Sequence, residues 1–297
     1  MKRTVIIASL LISAITVFAN GKFSGEFNGQ LLATGAGRIV LLDKTGKVMW
    51  QHKGGNCSDI WMLENGNVLH ADNNVAEINP KTSETVWSYR PEMQKAGATF
   101  SCQRLKNGNT LVGENSSGRL VEVDKAGKIV FELKLPLCKP GDHSNLRIVR
   151  KLANGNYLVC HKKDKLVREY TPDGKVLFEV TVPPASYSAV RLPNGNTVVG
   201  HLEAITEFDS KGKKVWEFLK QDLPDIKIGY ICGIHILEDG TIVMGVYRAD
   251  ASEQGGSILA ISRDKKLLWR LVNGDKHMMS MQVLDEAGKP LAGQLLH

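Results

Sequence analysis

The sequence predicts an all-β protein, a β-propeller built from four-stranded antiparallel blades. Two short phrases alternate along the chain, and each of them has the pattern of a β-hairpin. The first phrase is RLKNGNTLVG at 104–113 and RLPNGNTVVG at 191–200, and further copies begin at Met62, Lys151 and Ile236, with a weaker one at Phe27. Asn-Gly favours a tight type I′ turn, because both residues tolerate a positive φ. Each copy therefore predicts two antiparallel strands.

The second phrase follows each copy of the first. It consists of a strand, a turn rich in Asp, Pro and Gly, and a strand that ends in Trp or Phe. Clear copies are LLDKTGKVMW at 41–50, VEVDKAGKIVF at 121–131, EYTPDGKVLF at 169–178 and EFDSKGKKVW at 207–216, with degenerate copies at 77–87 and 260–269. The aromatic column comprises Trp50, Trp87, Phe131, Phe178, Trp216 and Trp269. Large aromatic side chains at one position of every repeat predict packing between blades.

The blade number follows from the six copies of the second phrase, which predict six blades. Two hairpins in every 37 to 53 residues, about the spacing of the aromatic column, are typical of a propeller. Residues 30–50 supply only three strands of the first blade, and MMSMQVLD at 278–285 has the pattern of the missing innermost strand. Its return would join the N- and C-terminal strands in one blade and remove an open sheet edge.

Seven blades is the alternative to this arrangement. Residues 286–297 read as a further turn and strand, and KFSGEF at 22–27 has the pattern of another strand. The sequence alone leaves the choice between six and seven blades to be tested.

Residues 1–19 have the pattern of a secretory signal peptide. A basic start precedes an apolar run, and Val17 and Ala19 occupy the −3 and −1 positions of a cleavage site. We therefore expect a periplasmic or secreted protein. Residues 20–297 are expected to form a single β-propeller domain, with no transmembrane segment in the mature chain.

The repeats resemble those of a known family. NPKTSETVW at 79–87 resembles the Asp-x-x-Thr-Gly-x-x-x-Trp docking motif of quinoprotein-type (PQQ-like) propellers, with Asn for Asp and Ser for Gly. The repeated Leu-x-Asn-Gly-Asn phrase also resembles the propeller of bacterial arylsulfotransferases. The resemblance extends over residues 28–285 and implies the propeller fold. It implies little about function, because the matching residues are packing and turn residues.

The resemblance to the arylsulfotransferases fails at one functional position. That family places a His ahead of the Asp at the start of an innermost strand. In NCSDIWMLENGN at 56–67, Asp59 is retained but no His precedes it, which argues against sulfotransfer. The chain also lacks the paired vicinal cysteines of quinone-dependent dehydrogenases, and the sequence identifies no cofactor.

Charge and cysteine content exclude several further classes. The formal net charge of +7 is spread along the chain without a stripe of aromatic and basic residues, so we expect no nucleic-acid partner. The one dense basic run, HKKDK at 161–165, has the character of a solvated face. No C-x-x-C motif is present, which argues against a thioredoxin-type site or a covalently attached haem. The pairing of the cysteines stays open: Cys57, Cys102, Cys138, Cys160 and Cys232.

The candidate site lies on one predicted face of the propeller. We name the strands of each blade a to d from the channel outward. The a–b and c–d connections, on one face, are short, uniform turns. The b–c and d–a connections on the other face are longer and chemically richer, which is typical of a binding face. At the end of strand b a small residue precedes an ionisable one in four successive copies, namely Asp72, Glu114, His161 and His201. The d–a segments add Asp59, His143, Asn145, Arg147, Tyr187, Tyr230 and His277.

These residues predict a polar vestibule with aromatic walls, which suits a small anionic or polar ligand. We expect a monomer that binds a small polar molecule, a glycan or a protein partner over the channel mouth, without catalysis. The alternative is a lactonase-like or sulfotransferase-like hydrolase or transferase with a His/carboxylate site at the same mouth. Strands b of neighbouring blades are expected on the order of 10 Å apart, so the four strand-b residues are not expected to share one metal ion.

Overall fold

The computed structural model describes residues 21–35, 37–54, 58–93, 97–136, 139, 141–293 and 295–296. These residues form six antiparallel β-sheets. The innermost strand of each sheet contacts the innermost strand of the next, and the series returns to its starting sheet. The molecule is therefore a closed six-bladed β-propeller, as the sequence predicted.

The strands are numbered in chain order. The N-terminal half contains β1 (Lys22–Gly25), β2 (Gln30–Gly35), β3 (Arg38–Leu42), β4 (Val48–Lys53), β5 (Asp59–Met62), β6 (Val68–Ala71), β7 (Val75–Ile78), β8 (Thr85–Tyr89), β9 (Thr99–Arg104), β10 (Thr110–Glu114), β11 (Arg119–Val123) and β12 (Ile129–Lys134). The C-terminal half contains β13 (Leu146–Lys151), β14 (Tyr157–His161), β15 (Leu166–Tyr170), β16 (Val176–Thr181), β17 (Ser188–Arg191), β18 (Thr197–His201), β19 (Ala204–Phe208), β20 (Lys214–Leu219), β21 (Tyr230–Ile236), β22 (Ile242–Tyr247), β23 (Ile258–Ile261), β24 (Leu267–Val272), β25 (His277–Met278), β26 (Met281–Leu284) and β27 (Leu295–Leu296). The short 3-10 helix Lys220–Asp222 follows β20.

Blades 2 to 6 each take four consecutive strands from β5 to β24, whereas blade 1 joins the two ends of the chain. Strand β26 pairs antiparallel with β2, with Gln30 opposite Leu284 and Ala33 opposite Met281. Strand β26 thereby becomes the innermost strand of a blade whose other three strands come from the N-terminal region. The predicted closure is confirmed.

The segments that suggested a seventh blade widen the sixth blade instead. Strand β1 pairs antiparallel with the outer strand β24, with Lys22 opposite Val272. Strand β27 pairs with the innermost strand β21, with His235 opposite Leu296. This second pairing places the C-terminal segment beside the channel, at the end of β21 that leads into an a–b turn.

The Asn-Gly turns differ in detail from the predicted type I′ geometry. Leu63 and Asn67 are hydrogen-bonded across a three-residue loop, and the Gly66 N–H donates to the Leu63 carbonyl at 2.9 Å. Gly66 has a φ of +81°, whereas Asn65 does not adopt a positive φ. The connection is therefore a type I turn followed by a left-handed glycine. The Asn65 side chain accepts the backbone N–H of Asn67 at 3.0 Å, which holds Asn65 in this geometry.

The second Asn of the phrase also bonds to a buried glutamate on strand c of its own blade. Asn67 donates to Glu77 at 2.7 Å, and the Asn156–Glu169 and Asn196–Glu207 pairs repeat this contact at 2.7 and 2.6 Å. A fourth glutamate, Glu122, occupies the same place in blade 3 and accepts the Tyr157 hydroxyl at 2.6 Å. We call the four buried side chains the interblade carboxylates: Glu77, Glu122, Glu169 and Glu207.

Each interblade carboxylate also bonds to a cation supplied by the next blade. Glu77 pairs with Arg104 at 2.7 Å, and Arg104 lies over the Trp87 ring, 5.6 Å from its centroid. The corresponding ion pairs in the next three blades are Lys151–Glu122, Arg191–Glu169 and Arg263–Glu207. The six aromatic residues of the column each pack against one of the six hydrophobic clusters, so their predicted packing role is confirmed.

No helix among the described residues combines the length and the apolar character needed to cross a bilayer.

Deletion of residues 278–297 tests the closure of blade 1. It removes β26 and exposes the edge of β2 together with buried side chains such as Leu31 and Leu32. We expect aggregation, or loss of a cooperative urea transition followed by tryptophan fluorescence. A deletion of 291–297 retains β26 and should keep the transition cooperative. A chain ending at residue 277 that unfolds like the parent would contradict this closure.

Candidate functional site

Strands a run from the face that carries the b–c and d–a connections, called the loop face, to the face that carries the hairpin turns, called the turn face. The ionisable residues at the ends of strands b all belong to the loop-face side, but three of them lie between blades. Glu114 is 1% exposed and accepts hydrogen bonds from Tyr89, Ser117 and Arg119 at 2.5–2.6 Å. Hydrogen bonds from Arg119, Ser117 and Tyr89 lower the pKa of Glu114 although burial opposes them. This carboxylate is an internal packing element.

The two strand-b histidines are likewise engaged inside the propeller. His161 Nε2 lies 2.9 Å from the Tyr170 hydroxyl, and His201 Nε2 lies 2.8 Å from Thr206 Oγ1. Burial lowers the pKa of both imidazoles, that of His161 to about 4. Both rings are therefore neutral at pH 7. Asp72 is half-buried in the b–c connection of blade 2, where its carbonyl accepts the Thr99 hydroxyl at 2.6 Å.

Two of the small residues that precede this column, Gly113 and Gly200, lie where a larger side chain would clash. A Cβ on Gly113 would lie 2.5 Å from Ser101 Oγ, and one on Gly200 would lie 2.9 Å from the Cys232 carbonyl oxygen. Both distances are shorter than van der Waals contact. Glycine at these positions therefore lets strand b pass close to its neighbours.

Asp59 lies inside the channel rather than at its mouth. It is fully buried and forms a bidentate ion pair with Arg150 of blade 4, with both N···O distances at 2.7 Å. It also accepts the backbone N–H of Cys102 at 2.8 Å, and the Arg150 guanidinium lies 4.8 Å from the Trp61 ring centroid. This contact joins blades 2, 3 and 4 across the channel.

The d–a connection before blade 4 forms part of the loop-face surface. The Asn145 side chain is 2% exposed and donates to the carbonyls of Lys139 and Asp142 at 2.7 and 3.1 Å, so it shapes the connection. The His143 side chain is 72% exposed at the rim. The Asp142 carboxylate pairs with Lys163 from the neighbouring b–c connection, and hydrogen bonds from Lys163 and from the Ser144 N–H lower the pKa of Asp142.

Five side chains from blades 3 to 6 meet at the loop-face end of the channel, and we call them the mouth cluster: Phe100, Arg147, Lys162, Tyr187 and Cys232. The Arg147 guanidinium lies 4.0 Å from the Phe100 ring centroid and 5.7 Å from that of Tyr187. The Tyr187 hydroxyl reaches across to Ser58 Oγ of blade 2 and to Met279 Sδ, both at 3.4 Å, and the nearby Cys232 thiol contributes to its raised pKa. Arg147 and Tyr187 were predicted site residues, and the structure brings them together.

Arg147 differs from the other buried arginines in its partners. Among the described residues three arginines are buried, and Arg38 and Arg150 pair with Asp275 and Asp59 at 2.9 and 2.7 Å. Arg147 is 6% exposed and donates from Nη1 to the carbonyls of His143 and Leu146, both at 2.8 Å. No described carboxylate forms a salt bridge with it. Burial lowers the pKa of Arg147, because the charged guanidinium has left water, although interactions with Tyr187, Cys232 and Asp142 oppose the shift.

Lys162 adds a second cation to the mouth cluster. It directly follows His161, which pairs with Leu146 in the β13–β14 hairpin, so Lys162 and Arg147 flank the same end of that hairpin. Burial and repulsion by Arg147 lower the pKa of Lys162 to about 8. The expectation that HKKDK forms a solvated face is therefore wrong, because His161 is buried and Lys162 is half-buried.

Tyr230 and His277 occupy a neighbouring region at the loop-face end of blade 6. His277 stacks on Tyr247 with ring centroids 4.4 Å apart, and its Nδ1 accepts the Arg248 N–H at 3.3 Å. Tyr230 lies opposite Tyr247 in the β21–β22 hairpin, with the Arg248 guanidinium 5.9 Å from its ring centroid. These residues border the mouth cluster through Cys232, which is on the same strand as Tyr230.

Sequence reasoning missed three members of the mouth cluster, namely Phe100, Lys162 and Cys232. Phe100 and Cys232 precede the a–b turns of their blades by the same number of residues as Arg147 and Tyr187, so alignment of strands a on those turns would have found them. Cys160 and Cys232 are buried free thiols, and burial raises the pKa of Cys232 to about 12. Cys57 and Cys138 lie outside the described residues. No group of three or more His, Cys, Asp or Glu in the described part of the chain could hold a metal ion.

The closed ring of six four-stranded blades, with a cationic cluster at one end of the channel, defines the class of protein as a β-propeller. Residues 20–151 of the chain are similar to the family model described as outer membrane protein assembly factor BamB. No curated protein sequence matches the chain significantly.

Solved structures share the fold at low sequence identity. A protein of unknown function from Bacteroides caccae is 18% identical, with a TM-score of 0.74 over 88% of this chain and 100% of that protein. A catalytically inactive virginiamycin B lyase from Staphylococcus aureus, solved with quinupristin, is 13% identical, with a TM-score of 0.59 over 93% of this chain and 99% of the lyase. A streptogramin B lyase gives 13% identity and a TM-score of 0.58 over 94% of this chain and 98% of that enzyme. At these identities the similarity shows the fold alone.

Substitution of Asp59 tests the ion pair in the channel. Asp59→Asn leaves the Arg150 guanidinium buried without a counter-charge, and we expect the free energy of unfolding to fall by about 3–5 kcal/mol. The double variant Asp59→Leu/Arg150→Met should recover most of this loss, because it removes both buried charges. Glu286→Gln breaks the exposed pair with Lys44 and should cost at most about 1 kcal/mol. Urea denaturation measures all three; an Asp59→Asn loss no larger than that of Glu286→Gln would refute the assignment.

The buried histidines predict that stability falls in acid. Burial lowers the pKa of His161 and His70 from 6.5 to about 4, so the unfolded chain binds more protons than the folded one between these values. The two histidines therefore make their full contribution to stability above pH 6.5. The free energy of unfolding declines as the pH falls toward 4, by about 3 kcal/mol per histidine. His161→Asn should reduce this pH slope, whereas the rim control His143→Asn should not. Equal slopes for His161→Asn and the parent in urea titrations would contradict this.

Proposed function

We propose that this protein is a periplasmic or secreted binding propeller that holds a small anionic ligand at the loop-face end of its channel, without chemical transformation of the ligand. The observation that carries the proposal is Arg147, a buried guanidinium that forms no salt bridge with any carboxylate in the described part of the chain. A pattern at residues 1–19 that is typical of a signal peptide supports the location.

Among the described residues no carboxylate forms a salt bridge with Arg147, although buried cations ordinarily have such a partner. Buried charges in folded proteins are normally paired, because desolvation of an isolated charge costs several kcal/mol. Arg38 and Arg150 in this same chain follow that rule. A bound anion would supply the counter-charge to Arg147, and the planar guanidinium is suited to carboxylate or phosphate oxygens.

The protonation states at the mouth support binding rather than catalysis. Burial raises the pKa of the Cys232 thiol to about 12 and also raises that of the Tyr187 hydroxyl, so both are protonated at pH 7 and poorly nucleophilic. His161 and His201 are bonded to Tyr170 and Thr206, away from the mouth cluster. The hydrolase or transferase alternative would require an activated base or nucleophile beside Arg147.

The test is to replace Arg147 with an uncharged side chain of similar length. Small anions such as acetate, phosphate and phenyl phosphate should raise the melting temperature of the parent. Arg147→Met should lose this response, with affinity reduced about 10- to 100-fold, the effect of one or two charge-assisted hydrogen bonds. The ligand-free variant should melt no lower than the parent, because the uncompensated charge is gone.

Arg168→Gln provides the matched control, because it removes one arginine of the same blade that pairs with Glu179 outside the mouth cluster. It should retain the response to anions. A strong loss of stability in Arg147→Met, together with no response of the parent to any anion in calorimetry, would show that Arg147 is structural and would refute the proposal.

A further inference from the structure

We infer that the mouth cluster selects a dianion, and specifically the phosphate group of a phosphate monoester, with Arg147 and Lys162 as its two cationic contacts. The inference rests on the proposed function, since it specifies the ligand of the same site. It depends on the relative placement of two cations and on the neutrality of the groups around them.

The two cations converge from adjoining parts of blade 4. Arg147 is the second residue of β13, and Lys162 follows the last residue of β14, whose partner in the hairpin is Leu146. The Arg147 guanidinium donates to the His143 carbonyl in the connection before blade 4, and Lys163, the residue after Lys162, pairs with Asp142 of that same connection. Both cations therefore border one region of the loop face, where Arg147 lowers the pKa of Lys162.

In the part of the chain that the structure describes, no carboxylate forms a salt bridge with Arg147 or Lys162. Cys232 and Tyr187 carry no charge at neutral pH, since burial raises the pKa of each. Asp142, the acidic group that interacts with both cations, already pairs with Lys163. The region around Arg147 and Lys162 thus has two positive charges when both side chains are protonated. A ligand with two negative charges would balance them.

Charge separates the phosphate monoester from similar anions. A phosphate monoester has a second pKa of about 6 and is close to a dianion at pH 7.5, whereas a sulfate ester of the same tetrahedral shape is a monoanion. Arginine suits such oxygens bidentately, and lysine contributes a compact point charge. A dianion beside Lys162 would also favour its protonated form, so binding above pH 7.5 should take up protons.

Isothermal titration calorimetry of the full mature chain with phenyl phosphate and phenyl sulfate tests the inference at pH 7.5. The two probes differ in charge but little in shape. The parent should bind phenyl phosphate about tenfold or more tightly than phenyl sulfate, the effect of one added charge-assisted contact. Lys162→Gln should abolish this preference, and Arg147→Met should weaken both probes. Lys175→Gln, which removes one lysine from the turn face of the same blade, should leave the preference intact.

A second readout is proton uptake, measured from the buffer dependence of the binding enthalpy between pH 7.5 and 8.5. The parent should take up protons on binding phenyl phosphate, and Lys162→Gln should not. Equal affinities for the two probes, both lost in Arg147→Met, would overturn the dianion inference while the anion-binding function stands. If neither probe nor any other small anion binds the parent, the proposed function fails and the inference fails with it.

Discussion

The propeller depends on a repeated buried carboxylate that is shared between neighbouring blades. Glu77, Glu169 and Glu207 each accept a hydrogen bond from the Asn-Gly-Asn turn of their own blade. Each also forms an ion pair with an arginine of the next blade. A carboxylate between two sheets is stable only when such partners are present. Together with the Lys151–Glu122 pair, the contact orients blades 2 to 6 relative to one another, and these orientations determine where their strands a place side chains at the channel.

Much of the fold could be predicted from local sequence because its signals are local and periodic. Turn residues recur at fixed offsets, and the aromatic column marks the outer strand of each blade. The return of β26 could also be predicted, because residues 30–50 supply one strand too few. The turn type could not be predicted, since Asn-Gly is compatible with a type I′ turn and also with a type I turn followed by a left-handed glycine. The Asn65–Asn67 hydrogen bond that favours the second of these is a three-dimensional feature.

The candidate site was less predictable, because the direction of a side chain at a strand end is decided by the neighbouring blade. Glu114 and His161 occupy the same position of the repeat as Asp72. Inside the propeller, however, Tyr89 hydrogen-bonds to Glu114 and Tyr170 to His161. Lys162 belongs to a charged run that has the local character of a solvent-exposed turn. Its burial follows from its place beside Arg147 and Cys232, residues that are distant in sequence or on another strand. Arg147 and Tyr187 were predictable, because d–a connections necessarily meet at the channel.

The pairing of β26 with β2 also constrains how the molecule reaches its native state. Blade 1 takes its innermost strand from residues 281–284, which are synthesised after the other 23 strands of the six four-stranded blades. Blades 2 to 5 are contiguous in sequence and can form as the chain emerges, but the ring cannot close until these late residues arrive. Closure of the channel is therefore a final, long-range step that waits for the last strand of the ring.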